Sequence, residues 1–305
     1  MTRPAAARET VEVVLVGRGR VGRTLAKRFA ERGVTAVLLA GRGLAASGRA
    51  RALVRRASVV WITVPDPHVA SIEAVIAASL DGLGARALPI VVHSGGARGP
   101  EVLAACALRG APVAVAHPAV SFGTTRTTLD DTVFVLDGAP RATRRLARLV
   151  RTLGARPLTR AVHGPRYHAA LALAANGAAA LAAAASAILV SGVPALEAPE
   201  AARLLGTLLR SVADNVARVG PSAALTGPIA RGDAAAVARH LEALEPEERA
   251  DYVAVSRLVL RAAIARGLPP AAREGIDAVL SAASRARPVR ARRGAGHEPR
   301  QRATR

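Results

Sequence analysis

The sequence predicts an α/β fold, a doubly wound parallel sheet followed by an all-helical C-terminal domain. Three observations lead there. Over residues 11–136, short Val- and Ile-rich runs alternate with amphipathic helical stretches, the pattern of strands buried on both faces and joined by crossover helices. The first run leads directly into GRGRVG, residues 17–22, at the head of a helical stretch. Past about residue 160 no further strand-type run appears, and long alanine- and leucine-rich stretches take over.

Strands are expected at 11–16 (VEVVLV), 34–40 (VTAVLLA), 58–64 (SVVWITV), 88–93 (LPIVVH), 112–116 (PVAVA) and 132–136 (TVFVL). Helices fall between them at about 20–32, 45–56, 67–80, 98–109 and 140–153. Strand and helix in alternation imply right-handed crossovers and a Rossmann-type sheet. Helical stretches then run at 163–191, 195–219, 233–244, 246–266 and 270–285. Pro194, Gly220-Pro221, Gly227-Pro228 and Pro269-Pro270 punctuate them, because Pro and Gly interrupt helices. The domains expected are an N-terminal extension (1–10), a Rossmann-like dinucleotide-binding domain (11–160), a helical substrate and dimerisation domain (161–284) and a disordered Arg-rich tail (285–305).

Composition narrows the function. Hydrophobic residues make up 51% of the chain and aromatics only 2%, so the core is expected to rest on Ala, Val and Leu. The net charge of +21 raises nucleic-acid binding. Yet Lys27 is the only lysine against 42 arginines, and the segment 284–305 alone holds eight of them. Charge scattered in this way reads as a compositional bias, so no specific nucleic-acid partner is expected. A lone Cys106 excludes an internal disulfide and a cysteine metal cluster and suits a reducing cytoplasm. No metal is expected, since the histidines lack a ligand spacing. MTRPAAARET has no apolar h-region, so no signal peptide is expected. Residues 169–196 carry no charge, but they are mostly alanine and are broken by Asn176, Gly177, Ser186, Ser191, Gly192 and Pro194. They read as a helix buried in a domain or dimer core rather than as a membrane span.

GRGRVG fits a dinucleotide turn because of its place after a buried-strand pattern and before a helix with Val21, Leu25 and Phe29 on one stripe. Gly17 and Gly19 allow a tight turn and close approach of backbone N–H groups to phosphate. Gly22 lets the helix pack on the strand, and the helix N-terminus favours negative charge. Arg18, Arg20 and Val21 complete the turn. The second strand ends in VLLAGRG, and Arg42 stands where an NAD site usually carries Asp or Glu. A guanidinium there can bind an adenosine 2′-phosphate, so the cofactor expected is NADP. Ser47 is a weaker candidate for the same phosphate. Val64 and Pro65 end the third strand, on the edge where ligands bind in open α/β sheets; Asp66 before Pro67 reads as a helix cap. Ser94, beside His93, ends the fourth strand, and His117 with Pro118 ends the fifth.

Taken together, GRGRVG, ITVPD, VVHSGG, AHPAVSF, YHAALALAAN and LTGPIARGD, in this order, resemble a group of bacterial proteins catalogued as oxidoreductases. Those proteins join a Rossmann-like domain to a helical C-terminal domain of unknown function. The resemblance covers about residues 10–285 and is most specific at LTGPIARGD (225–233) with the helix carrying His240. More distantly the layout is similar to ketopantoate reductases, β-hydroxyacid dehydrogenases and pyrroline-carboxylate reductases. In those enzymes the first helix after the Rossmann domain lines the active site, and helical domains pair into dimers. The chain departs from two of them: ketopantoate reductases and β-hydroxyacid dehydrogenases use a lysine on that helix, where Tyr167, His168 and Asn176 stand here.

Reducing a ketone or imine also requires a group that polarises the acceptor and delivers a proton. His168, Asn176 and Ser94 are the candidate catalytic residues. Eight residues of helix separate His168 from Asn176, about 12 Å along the axis and some 80° around it, so they can line one groove without touching. His117, Tyr167, Thr226 and Arg231 are candidates for binding substrate, with Arg231 suited to a carboxylate or phosphate. Asp233 reads as the N-cap of the helix after LTGPIARGD. The expected function is hydride transfer between NADPH and a small, plausibly anionic, oxo or imino substrate held between the domains of a cytoplasmic homodimer. A lysine-less ketopantoate reductase and a non-catalytic NADP(H)-binding sensor are the alternatives.

Overall fold

The structure is a computed structural model that describes residues 12–123 and 127–285. The expected N-terminal extension lies outside the described residues, as does the expected tail beyond Arg285. The chain divides into two compact units, one ending at Asn176 and the other starting at Gly177.

The first unit holds a seven-stranded sheet: β1 (Val13–Val16), β2 (Ala36–Leu39), β3 (Val59–Ile62), β4 (Ile90–His93), β5 (Val113–Pro118), β6 (Val133–Gly138) and β7 (Arg156–Thr159). Its order is β2-β1-β3-β4-β5-β6-β7. The first five strands are parallel. β6 runs antiparallel to β5, and β7 is parallel to β6, so the sheet is mostly rather than wholly parallel. β7, RPLT, is absent from the expected strands. It is a largely exposed edge strand with no β-branched run to reveal it.

Side-chain alternation sorts the sheet into two faces. Val14, Val16, Val60, Ile62 and Val91 pack on one side with α2 (Gly48–Arg56), α3 (Val69–Ser79) and α4 (Ala104–Leu108). Val13, Leu15, Val59, Trp61, Ile90 and Val92 pack on the other with α1 (Arg20–Glu31) and α5 (Pro140–Thr152). Aromatics are scarce but central. Trp61 lies between Phe29 and Phe134 with ring centroids 6.2 Å from each, edge to face. All three are fully buried, so the core is not built on aliphatic residues alone.

The second unit is helical: the remainder of α6 (Pro165–Gly192), then α7 (Ala198–Ala224), α8 (Pro228–Arg231), α9 (Ala234–Ala243), α10 (Pro246–Ala265) and α11 (Pro270–Arg285). Its core joins Ile229, Val237, Leu241, Val253, Leu260, Ile276 and Leu280. Asp233 caps α9, accepting from the Ala236 N–H at 2.9 Å. Gly220, at φ +80°, kinks α7 next to Pro221, where the sequence reading ends the helix. None of the 28 residues of α6 is buried among the described residues of the single chain, which leaves of its expectation the dimer core rather than the domain core.

Candidate active site

The strand order reverses between β1 and β3, and the glycine turn sits there. The Gly17 N–H donates to the Leu39 carbonyl at 2.9 Å, while the Thr63 hydroxyl donates to the Gly17 carbonyl at 3.1 Å. A Cβ on Gly17, at φ +132°, would meet the Thr63 backbone at 2.8 Å, and one on Gly22 would run into the Gly17 carbonyl. These two glycines are fixed by the chain's own packing. Gly19 has nothing within 4 Å of its would-be Cβ, leaving open space at the N-terminus of α1, where backbone N–H groups have no helical partner.

Around this turn Arg18 and Arg20 are exposed. Arg20 donates to the Phe122 carbonyl at 3.0 Å, and Arg23 donates to the Arg18 carbonyl at 2.8 Å. Val21 packs against the core. A groove of about 590 Å³ starts at Arg18, Gly19 and Arg20 and continues along α1 past Arg23, Lys27 and Arg28. Arg42 follows β2; it is exposed and its guanidinium has no partner among the described residues. Val64 is half-buried and Pro65 exposed at the end of β3. Gly41 lies against Val64, whose Cγ1 would be 3.2 Å from a Cβ there. Ser47 is committed as the N-cap of α2, accepting from the Ala50 N–H at 3.1 Å. Asp66 corrects its expectation: its side chain makes no cap hydrogen bond and lies against Gly95.

A second group of residues lies at the carboxyl ends of β4 and β5. His93 is fully buried; its Nε2 is 3.1 Å from the Gly99 carbonyl, and its Nδ1 accepts the Gly95 N–H at 3.1 Å. That pairing assigns a neutral ring whose task is to shape the loop after β4. Burial lowers its pKa, partly offset by Gly99. The Ser94 hydroxyl accepts from the Trp61 indole at 2.9 Å, which ties the loop to the aromatic core. His117 Nδ1 lies 3.0 Å from the Tyr167 hydroxyl. A Cβ on Gly96 would be 2.8 Å from His117 Nε2, so glycine is what lets the loop rest on the ring. Burial, then His163, His168 and His93, push the His117 pKa down to about 4. His117 is therefore neutral around pH 7, with one ring nitrogen accepting a hydrogen bond and the other donating one. Burial raises the Tyr167 pKa, so its phenol stays protonated.

Sequence reasoning missed His163. Its side chain is fully buried, and its ring is 5.3 Å from Tyr167 and 6.4 Å from His117, centroid to centroid. Asp137 Oδ2 lies 3.5 Å from its Nδ1, beyond good hydrogen-bond range, and among the described residues neither ring nitrogen has a hydrogen-bond partner. Burial lowers its pKa against the pull of Asp137. The available signal was its spacing of four residues from Tyr167. His168 is exposed, its ring 6.3 Å from that of His117. Asn176 is exposed and makes no side-chain hydrogen bond among the described residues. His117, Tyr167 and His168 lie together in the first unit, and Thr226 and Arg231 belong to the second. Cys106 is buried against Glu73, and burial pushes its thiol up, out of nucleophilic use. Among the described residues no cluster of three or more His, Cys, Asp or Glu could hold a metal ion.

Residues 132–259 match a family model described as a domain of unknown function, DUF2520. No curated protein matches the chain. Solved structures share its fold. Protein TM1727 of Thermotoga maritima is 23% identical over 83% of this chain and 98% of its own, with a TM-score of 0.56. A candidate NADP oxidoreductase of Bacteroides fragilis is 20% identical over 83% and 99%, with a TM-score of 0.60. Plasmodium falciparum pyrroline carboxylate reductase, solved with NADP bound, is 13% identical over 90% and 99%, at 0.53. These likenesses show the fold, a Rossmann-type sheet followed by a helical region. The family match starts at β6 and extends to α10, so it takes in Asp137, His163, Tyr167 and LTGPIARGD together.

Proposed function

We propose that the protein is an NADP-dependent reductase of a small oxo or imino compound. The observation that carries the reading is the pairing of an open glycine turn at the β1–β3 switch point with a half-buried couple of His117, at the end of β5, and Tyr167, on α6. The pyrophosphate of NADP fits at Gly19 and the N-terminus of α1, with Arg18 and Arg20 beside it, and Arg42 suits the 2′-phosphate. Similarity to proteins named as binding NADP supports this choice. When bound, NADPH supplies the hydride.

Tyr167 is the group proposed to meet the substrate. Its hydroxyl can donate to the oxygen or nitrogen on which negative charge develops, and an alkoxide or amide anion is basic enough to take its proton outright. His117, neutral and 3.0 Å away, holds the phenol in place. His168, exposed on the solvent side of this couple, is suited to resupply the proton from water. The lysine chemistry of ketopantoate reductases finds no counterpart, because Lys27 is exposed on α1 next to Glu31. An anionic substrate is proposed on Arg231 alone, whose exposed guanidinium has no partner among the described residues.

We also propose a cytosolic homodimer. Leu204, Leu208, Val212 and Val216 recur every four residues on α7 and are all exposed, and α6 adds exposed Leu173, Leu181 and Val190. A stripe of this kind normally lies against another chain. α6 is long and apolar enough to cross a membrane, but its serines, glycines and Asn176 favour packing against a second copy.

A thermal melt with NADPH, NADH or neither tests the cofactor. At 100 times its dissociation constant a ligand stabilises by about 2.7 kcal/mol. The expected result is a shift with NADPH that Arg42→Asp abolishes; no shift with either nucleotide would remove the reading. Tyr167→Phe should keep the shift and lower kcat on a reducible imine or ketone by about 10²–10⁴. Binding without turnover across oxo acids and cyclic imines would leave the non-catalytic sensor in its place.

A further inference from the structure

We propose that a pocket in the second unit binds a short aliphatic molecule through one carbonyl or carboxylate oxygen. The pocket has a volume of about 310 Å³ and is walled by Ile229, Val255 and Val259, with Thr226, His240 and Tyr252 as its polar groups. That size sits at the lower end for small-molecule sites, and the mix of apolar wall and few convergent polar groups is what such sites show. It does not rest on the reductase reading, because every residue in it belongs to the segment after LTGPIARGD begins.

The polar groups are ordered. His240 Nδ1 lies 2.8 Å from the Tyr252 hydroxyl, with the two rings perpendicular and their centroids 5.8 Å apart. Burial raises the Tyr252 pKa, so its phenol keeps its hydrogen. In the proposed site that hydroxyl gives its hydrogen to His240 Nδ1, 2.8 Å away. A neutral imidazole accepting at Nδ1 carries its hydrogen on Nε2. The pair then ends in an Nε2–H donor, polarised by the hydrogen bond at Nδ1. The Thr226 hydroxyl offers a second donor on the same pocket wall. Two donors above an aliphatic wall select a molecule with an acceptor oxygen and a hydrocarbon body. No Asp or Glu lines the pocket, so nothing there attracts an amine.

The test is a long-range ¹H–¹⁵N spectrum of the full-length chain with ¹⁵N-labelled histidine, His240 being assigned through His240→Gln. The free protein should show His240 as the Nε2–H tautomer. Isovalerate or 4-methyl-2-pentanone should shift its Nε2 resonance saturably, and isoamylamine should not. Tyr252→Phe should weaken that binding about tenfold, and Val255→Phe, which leaves the hydrogen-bond chain intact, should abolish it. An Nδ1–H tautomer, no saturable shift with either oxygen compound, or undiminished binding in Val255→Phe would overturn the proposal.

Discussion

The two units solve the problem of burial differently. In the first, β1 and β3 are completely buried and both faces of the sheet are covered by the chain's own helices. In the second, α9, α10 and α11 close a core, while α6 buries nothing and α7 buries only Ala201 and Leu205. The first unit is self-sufficient. The second leaves a long apolar surface exposed, and in the proposed dimer its stability is expected to depend on association. The contrast also separates the chemistry: the glycine turn and His117 stand at strand ends of the sheet, with Tyr167 brought to His117 by α6, whereas the His240–Tyr252 couple stands wholly on helices.

The sharpest way to break the contrast is at the centre of the first core. Trp61→Ala removes the ring between Phe29 and Phe134 and the indole donor to Ser94. The expected cost is about 3–5 kcal/mol, which in a chain of this size lowers the melting temperature by on the order of 10 °C. A calorimetric scan measures it at two protein concentrations. The first core should fail at the same temperature in both, since it depends on no partner; a loss that varied with concentration would mean the first unit, too, is built on association.

Surface charge should do little in the first unit and much in the second. Leu208→Glu with Val212→Glu places two carboxylates in the exposed stripe of α7. If the proposed dimer forms through this stripe, light scattering after gel filtration should give a monomer at concentrations where the parent protein runs as that dimer, with a dissociation constant raised at least 100-fold, about 2.7 kcal/mol. An unchanged mass would place the stripe outside any interface.

How much of this could be read from the sequence follows from the range of the interactions. β1, β3 and β4 were legible because burial on both faces demands uninterrupted Val and Ile. The glycine turn was legible because strand, turn and helix are contiguous. β7 was not, since an edge strand is specified by its partner β6 rather than by its own RPLT. The reversal of β6 also left no trace, because direction depends on the length and path of the connection from β5. In the site, Tyr167 and His117 were named separately, but their hydrogen bond spans fifty residues and could not be foreseen. His163 and Asp137 went unread for the same reason. Asp66 misled because Asp-Pro is a local capping signal, and here the side chain turns toward Gly95 instead.

Within the glycine turn, the structure divides residues that a motif treats alike. Gly22→Ala drives a methyl into the Gly17 carbonyl and should cost about 1–3 kcal/mol by overpacking. Gly19→Ala meets nothing within 4 Å, so its stability should stay within about 0.5 kcal/mol while the shift with NADPH shrinks. Paired melts of the two variants, with and without NADPH, measure both. Equal loss of stability would mean Gly19 is structural, and the open space beside it would no longer favour a ligand.

The smallest effect concerns acid. The folded-state pKa of His117 is about 4 against an ordinary 6.5, so between these values the unfolded chain binds more protons than the folded one. Stability then falls as pH drops from about 6.5 to 4 and is unaffected above that window. The ring is half-buried, and solvent screening leaves a contribution of about 1 kcal/mol. His117→Gln removes the titrating group and should flatten that part of the stability-against-pH curve, while the parent protein keeps the slope. His93 and His163, both lowered by burial as well, add slope of the same sign, so the difference between the two curves, rather than either alone, reports His117. If the curves run parallel from pH 6.5 to 4, the ring is solvated, and the Tyr167 hydroxyl is not held by a neutral imidazole.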